Sequence, residues 1–261
     1  MYRKEIGTPL RHDGISYLNF MAILSQQLRC RNYFEIGTAA GHSLRAFRCD
    51  AVCVDPRFKI SQDVLQGRRR AHFFQMTSDA FFNHYNLRAF LPGGVDVAFL
   101  DGLHHFEALL RDFINTERFC HDRSVILLHD CLPLNERMAE RTFREDAAEG
   151  GDTRISWTGD VWRLLPILQK YRPDLRVQQF DCGPTGLIAC TGLAPYSRVL
   201  LDGFDAIVKE FSDVSLSSFG LMRLWKLFPT LDTRRLAAAP ADVPKLLFGD
   251  WTEPVLGRAS A

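Results

Sequence analysis

The chain has 261 residues, 46% of them hydrophobic, which suits one α/β domain with appendages. Its 32 Lys and Arg nearly cancel its 31 Asp and Glu, so no global field draws it to nucleic acid or an anionic membrane, and a small-molecule partner is expected. No apolar run approaches the roughly 18 residues of a spanning helix, the start lacks a secretory core, and seven scattered cysteines fit reduced thiols, so a soluble cytoplasmic protein is expected.

In chain order, Ile15, Leu18, Met21, Ala22 and Leu28 recur at a helical period and predict a helix covering one face of a sheet. A strand near 32–36 follows, carrying Glu35 and running into a turn with Gly37 and Gly41. Glycine there permits positive φ and close approach of backbone to a ligand, and a helix starting near 42 would aim free N–H groups at the turn. The next apolar run, 51–54, ends in Asp55. The spacing 55 − 35 gives twenty residues, about the offset at which a nucleotide-binding α/β unit places its ribose acid.

Further strands are expected near 71–75, 95–100 and 124–128, with helical patterns at about 42–48, 60–68, 78–88 and 105–119. Alternating strands and helices imply parallel strands with crossovers, and Val95–Leu100 and Val125–Leu128 suit strands buried on both faces. Cys49 and Cys53 flank a strand with no second Cys or His pair nearby, so core packing rather than zinc is expected of them.

Residues 131–158 are polar and read as a surface helix plus loop, either a lid or a solvated excursion. A helix near 160–171 follows. Between Leu175 and Thr191 two strands are joined by a short Gly-Pro turn, which forces antiparallel pairing because a parallel return needs a dozen residues or more. Residues 196–228 look helical. The remainder, with Pro229, Pro240, Pro244 and Pro254, looks irregular. Phe219, Leu221, Leu224, Trp225 and Phe228 exceed what an isolated tail could bury, so they pack on their own domain or pair two copies into a homodimer.

In open parallel sheets ligands lie beyond the carboxyl ends of the strands. Here those ends carry Glu35 and the glycine turn, Asp55, Thr77-Ser78-Asp79, Asp101-Gly-Leu-His104-His105 and His129-Asp130. A dinucleotide site would want Gly-x-Gly-x-x-Gly, but Ala39 stands at the middle glycine, and no phosphate-cradling Gly-x-x-x-x-Gly-Lys-Ser/Thr occurs.

The ordered set Glu35-Ile-Gly-Thr-Ala-Ala-Gly41, Asp101-Gly-Leu-His104, His129-Asp130 and Trp157-Thr-Gly-Asp-Val-Trp162 resembles the class I S-adenosylmethionine-dependent methyltransferases, most of all a bacterial small-molecule O-methyltransferase group. The resemblance covers roughly residues 15–192. It implies a doubly wound, Rossmann-like, mostly parallel seven-stranded sheet ending in an antiparallel hairpin. Residues 1–195 would be the cofactor-binding domain and 196–261 a helical C-terminal extension with an irregular tail.

It also implies roles. Gly37, Thr38, Gly41 and Ser43 would pack around the methionine part of the cofactor, and Glu35 would anchor its cationic amino end. Asp55 would accept the ribose hydroxyls, Ser78 and Asp79 would meet adenine, and Asp101 would border the same site. His104 would be the base that deprotonates a hydroxyl acceptor, with Asp101 and Asp130 orienting that acceptor or, with His129, holding a divalent cation such as Mg²⁺ or Mn²⁺. His129 departs from the carboxylate or amide expected there. Ser78, Asp79 and His104 also suit turn capping, Asp160 suits capping of the next helix, and Trp157 and Trp162 suit either an acceptor pocket or the core. Two other readings stand beside methyl transfer to a sugar, phenol or secondary metabolite: a non-catalytic adenosyl-ligand-binding protein, and a metal hydrolase built on the Asp/His cluster.

Overall fold

The computed structural model describes residues 1–7, 10–143 and 156–249. Eight strands form one sheet: β1 (Asn32–Ile36), β2 (Asp50–Val54), β3 (Ala71–Phe74), β4 (Val95–Leu100), β5 (Cys120–His129), β6 (Arg176–Phe180), β7 (Leu187–Thr191) and β8 (Thr230–Leu231). Their order is β3-β2-β1-β4-β5-β7-β6-β8. Strands β1 to β5 are parallel, and β7 runs antiparallel to both β5 and β6. The hairpin is therefore where the Gly-Pro turn put it. The strand order reverses between β1 and β4, which opens a crevice at their carboxyl ends.

Strand alternation divides the core between the two faces. Phe34, Ile36, Val52, Val54, Ala98 and Leu100 pack on one side against α3 (Phe106–Glu117) and α4 (Leu164–Tyr171). Tyr33, Ala51, Cys53, Val97 and Phe99 pack on the other against Phe20, Met21 and Leu24 of α1 (Tyr17–Gln27). Ser16 caps α1 by accepting from Asn19 N.

Two expected helices are missing, and one side chain explains both. After the glycine turn there is only a 3₁₀ turn, Leu44–Ala46, and residues 60–68 form turns. The Arg68 guanidinium donates to the carbonyls of Leu44, Phe47, Cys49 and Val64, and so takes up the Leu44 and Val64 carbonyls that helices over 42–48 and 60–68 would have paired. Asp63 Oδ1 accepts from Leu65 N and Gln66 N, a local turn that competes with helix.

After α2 (Ser78–His84) a 3₁₀ turn, Leu87–Ala89, completes the helical stretch expected to 88. The polar segment shows only turns between 131 and 143, with Met138 and Ala139 buried where a surface helix was expected; Arg144, Glu145, Asp146 and Glu149 lie outside the described residues. Beyond α4 come α5 (Val199–Asp202), α6 (Phe204–Ser212), α7 (Leu216–Phe219) and α8 (Leu221–Trp225). Leu224 and Trp225 are buried in the core of this chain, with Phe219, Leu221 and Phe228 packed against it.

Residues 230–248, expected to be irregular, carry the eighth strand, α9 (Thr233–Ala238) and α10 (Val243–Phe248). Their prolines sit where the chain tolerates them, at Pro240 opening a 3₁₀ turn and at Pro244 in the first turn of α10. Strand β8 pairs with β6, while Thr233 donates to the buried Asp181 from both its backbone and its hydroxyl. Pro254 lies outside the described residues. No helix among the described residues is long and apolar enough to cross a membrane.

Candidate active site

Strand β1 delivers Glu35 to the crevice fully buried. Its Oε1 accepts from the Ser43 and Tyr33 hydroxyls. Its Oε2 and Thr38 Oγ1 are buried and make no hydrogen bond of good geometry among the described residues, although the Thr38 hydroxyl lies close enough to help hold the acid down. Burial pushes the Glu35 acid up to about 7 against the hydroxyls that hold it down. A buried acid with one unmatched oxygen suits a ligand that brings a positive charge or a donor.

The turn after β1 is held open by geometry. Gly37 has φ of 88°, and a Cβ there would lie 1.9 Å from the Asp101 carbonyl oxygen, so β1 and β4 close at their tips only over a glycine. A Cβ at Gly41, φ 83°, would meet Val64 at 2.6 Å. Ala39 between them also takes positive φ, 44°, with its N–H donated to Asp55 Oδ2 at 2.8 Å. Asp55 Oδ1 accepts from Arg57 N at 2.6 Å. Asp55, twenty residues after Glu35, therefore stands at the end of β2, joined to the glycine turn and 7% exposed.

Ser78 and Asp79 open α2, whose cap is Thr77 accepting from Ala80 N. Asp79 pairs with Arg111 on α3, while Ser78 lies beside Asp112, a buried acid that burial pushes up to about 7. Asp112 was not anticipated; it sits mid-helix in an amphipathic run with nothing local to mark it.

The ends of β4 and β5 converge. Asp101, His104 and Asp130 each offer one ligand atom, all within 4.8 Å of one another. His104 Nε2 is 3.1 Å from Asp130 Oδ2 and 3.5 Å from Asp101 Oδ1. His129 Nδ1 lies 3.3 Å from each carboxylate, and its Nε2 is 3.4 Å from Thr185 Oγ1. Against burial, which disfavours both ions, the two carboxylates raise the His129 and His104 imidazoles, and the imidazoles hold Asp101 below the usual carboxylate range. His129 thus contacts both acids but stands outside the convergent triad, which His104 completes instead. Asp130 reaches this position with φ of 58°, a left-handed conformation for a non-glycine residue.

Two aromatic residues complete the walls. Tyr17, at the start of α1, packs tilted against His129 with ring centroids 4.2 Å apart; nothing local marks it, because on a helix it reads as one more core residue. Trp157 stacks on His104 at 4.9 Å. The Trp157-Thr-Gly-Asp stretch is in fact a clamp on the His104 loop. Asp160 N donates to the His104 carbonyl, and a Cβ at Gly159 would lie 2.0 Å from that same oxygen. Asp160 Oδ1 accepts from Phe106 N, so it caps α3, 54 residues earlier in the chain, rather than the helix that follows it. Trp162 is 1% exposed and packs on Phe219, in the core.

Of the remaining histidines, His105 precedes α3 and contacts Arg141, and His121 pairs with Asp96. His12 is half-buried against Trp225 and contacts the Leu132 carbonyl through Nε2; loss of water around it lowers its imidazole to about 4.

Residues 34–131 match a family described as a methyltransferase domain. No curated protein matches the chain. Among solved structures it is similar to the S-adenosylhomocysteine-bound methyltransferase PaMTH1 of Podospora anserina, at 11% identity over 67% of this chain and 76% of that one, TM-score 0.46. It is also similar to a Bacillus cereus O-methyltransferase in complex with S-adenosylhomocysteine, at 16% identity over 71% and 84%, TM-score 0.45. A third is TomG of Streptomyces achromogenes, an O-methyltransferase of tomaymycin synthesis in complex with S-adenosylmethionine, at 13% identity over 68% and 80%, TM-score 0.42. The stretch 34–131, which carries the glycine turn, the acids Glu35, Asp55, Asp101 and Asp130 and the reversal of strand order between β1 and β4, is thus the part of the chain that matches a methyltransferase domain.

Proposed function

We propose that the protein transfers a methyl group from S-adenosylmethionine to a hydroxyl of a small molecule, with His104 as the base. The observation that carries this reading is the convergence of His104, Asp101 and Asp130 at the mouth of the crevice that Glu35 and the glycine turn line. The buried Glu35 Oε2 and Thr38 Oγ1 suit the amino acid end of the cofactor, and we assign the ribose hydroxyls to the Asp55 carboxylate at the end of β2. When bound, the cofactor supplies an activated methyl on sulfur, leaving as a thioether once the acceptor oxygen has taken the methyl.

The chain's part is alignment, dryness and one proton. Asp101 and Asp130 accept from the acceptor hydroxyl, fixing it, and stabilise the imidazolium that forms at His104. His104 Nε2 takes the hydroxyl proton. Trp157 and the Gly159 contact hold that imidazole in place. Substituting His104→Ala is expected to lower turnover on a panel of hydroxylated acceptors by roughly a hundredfold or more. Its S-adenosylhomocysteine affinity by calorimetry should stay within about twofold of wild type. A variant that turns over normally would remove His104 from the mechanism.

A second reading is favoured by the same convergence. Two carboxylate oxygens and one imidazole nitrogen suit a divalent cation, for which Asp101, Asp130 and His104 would be ligands, polarising the acceptor hydroxyl. His104 Nε2 cannot both ligate and accept the proton, so the two readings exclude each other at that atom. Activity that survives exhaustive chelation favours the base; activity abolished by chelation and restored by Mg²⁺ or Mn²⁺ favours the metal. All seven cysteines are free thiols, which supports placing the enzyme in a reducing cytoplasm.

A further inference from the structure

A cavity of about 230 Å³ opens beside the cradle, between the 3₁₀ turn that follows Gly41 and the helix-free connection from β2 to β3. Its wall includes Arg45, Arg48, Arg68, His42, Asp63 and Gln66. Among the described residues no carboxylate forms an ion pair with any of the three arginines. Asp63, the one acid on the wall, spends its Oδ1 on two backbone N–H groups. Among the described residues the Arg45 guanidinium donates to the neutral Gln62 side chain, at 2.6 Å.

Arg68 is the fixed charge of this wall. Its guanidinium carries five N–H donors, and four carbonyl contacts leave one of them over. Carbonyls satisfy its hydrogen bonds but do not neutralise it. Three guanidiniums against one carboxylate leave a formal excess of two positive charges around a space the size of a small ligand. Planar guanidinium groups match phosphate oxygens in pairs.

We propose that this cavity is a second ligand site, taking a soluble dianionic phosphate group such as a phosphomonoester. Arg45 and Arg48 close on the phosphate oxygens from solvent, and Arg68 supplies a charge held from below. The site communicates with the cradle through short links. His42 follows Gly41 directly, and Val64, on the cavity wall, is the residue a Cβ at Gly41 would strike. The same connection donates Lys59 N to the Ala39 carbonyl and Ser61 N to that of Ala40. A phosphate bridging the two segments ties down both sides of the glycine turn, so it should favour cofactor binding and be favoured by it.

The experiment titrates the full chain with inorganic phosphate, glycerol 3-phosphate and phosphatidate vesicles, using sodium chloride at matched ionic strength as control, and reads thermal stability and calorimetric binding. The expected result is saturable one-to-one binding of the soluble phosphates. The Arg45→Ala/Arg48→Ala variant should weaken it at least tenfold while its affinity for S-adenosylhomocysteine, measured without phosphate, stays at the wild-type value. Both arginines are exposed, so this variant is expected to fold. Stabilisation equal to the chloride control, binding to vesicles alone, or binding unchanged in the double variant would each overturn the proposal. The phosphate readout does not depend on methyl transfer, so it fails or succeeds separately from the reading of the active site.

Discussion

Glu35 is a buried acid with one oxygen bound by hydroxyls and the other unmatched, and burial lifts it to about 7. The folded state therefore holds a proton on it between about pH 4.5 and 7 that the unfolded chain has released, so this group's stability contribution falls as pH rises through that window. The full span is on the order of 3 kcal/mol at 1.36 kcal/mol per pH unit. Denaturant unfolding at pH 5 and pH 7.5 should show Glu35→Gln gaining stability relative to wild type at the higher pH. An identical pH slope in both proteins would contradict the assignment. A cationic cofactor end would reverse the preference locally. Binding of S-adenosylhomocysteine at pH 6 should release a proton, seen as buffer-dependent calorimetric heat, and Glu35→Gln should abolish that release.

Asp130 presents its carboxylate from a left-handed backbone that costs about 1 kcal/mol or more for a non-glycine residue. Such strain is retained where the side chain is needed in place. Asp130→Gly should therefore keep or slightly raise the unfolding midpoint while methyl transfer falls by at least about a hundredfold. A variant that lost stability and kept activity would point instead to a structural role.

At the scale of elements, the turns decide the site. Gly37→Ala would push a Cβ into the Asp101 carbonyl and is expected to cost roughly 3 kcal/mol or more, read from chemical denaturation. Gly159→Ala meets the His104 carbonyl in the same way, but on a loop over the site. It should lower kcat and leave S-adenosylhomocysteine affinity nearly unchanged, because it shifts His104 and spares the cradle; a change confined to cofactor affinity would count against the clamp.

The strands and the hairpin were legible because apolar runs and a Gly-Pro turn are local signals. The helices at 42–48 and 60–68 were not, because the contacts that replace them come from Arg68, which reaches back as far as Leu44. Asp160 failed as a local cap for the same reason: its partner, Phe106 N, is 54 residues away. Tyr17 and Asp112 join the site only because two helices pack on opposite faces of one sheet.

For the molecule as a whole, sheet order places every strand-end acid on one rim. Glu35, Asp55, Asp101 and Asp130 come from four strands and meet where the order reverses between β1 and β4. Their sequence positions announced that rim, since each closes an apolar run. What spacing could not supply was the pairing among them, in particular the place of His104 between Asp101 and Asp130 with His129 behind. The segment after β7 is part of the same body: β8 extends the sheet, and Trp225 donates from its indole to the Pro133 carbonyl just beyond β5.

Calorimetric titration of S-adenosylhomocysteine into the wild-type chain and into Asp55→Ala tests the central claim most directly. The account predicts one-to-one binding to the wild type and a loss of at least tenfold in affinity when the Asp55 carboxylate is removed, with the variant still folded by circular dichroism. No binding to the wild type, or equal binding to both proteins, would contradict it.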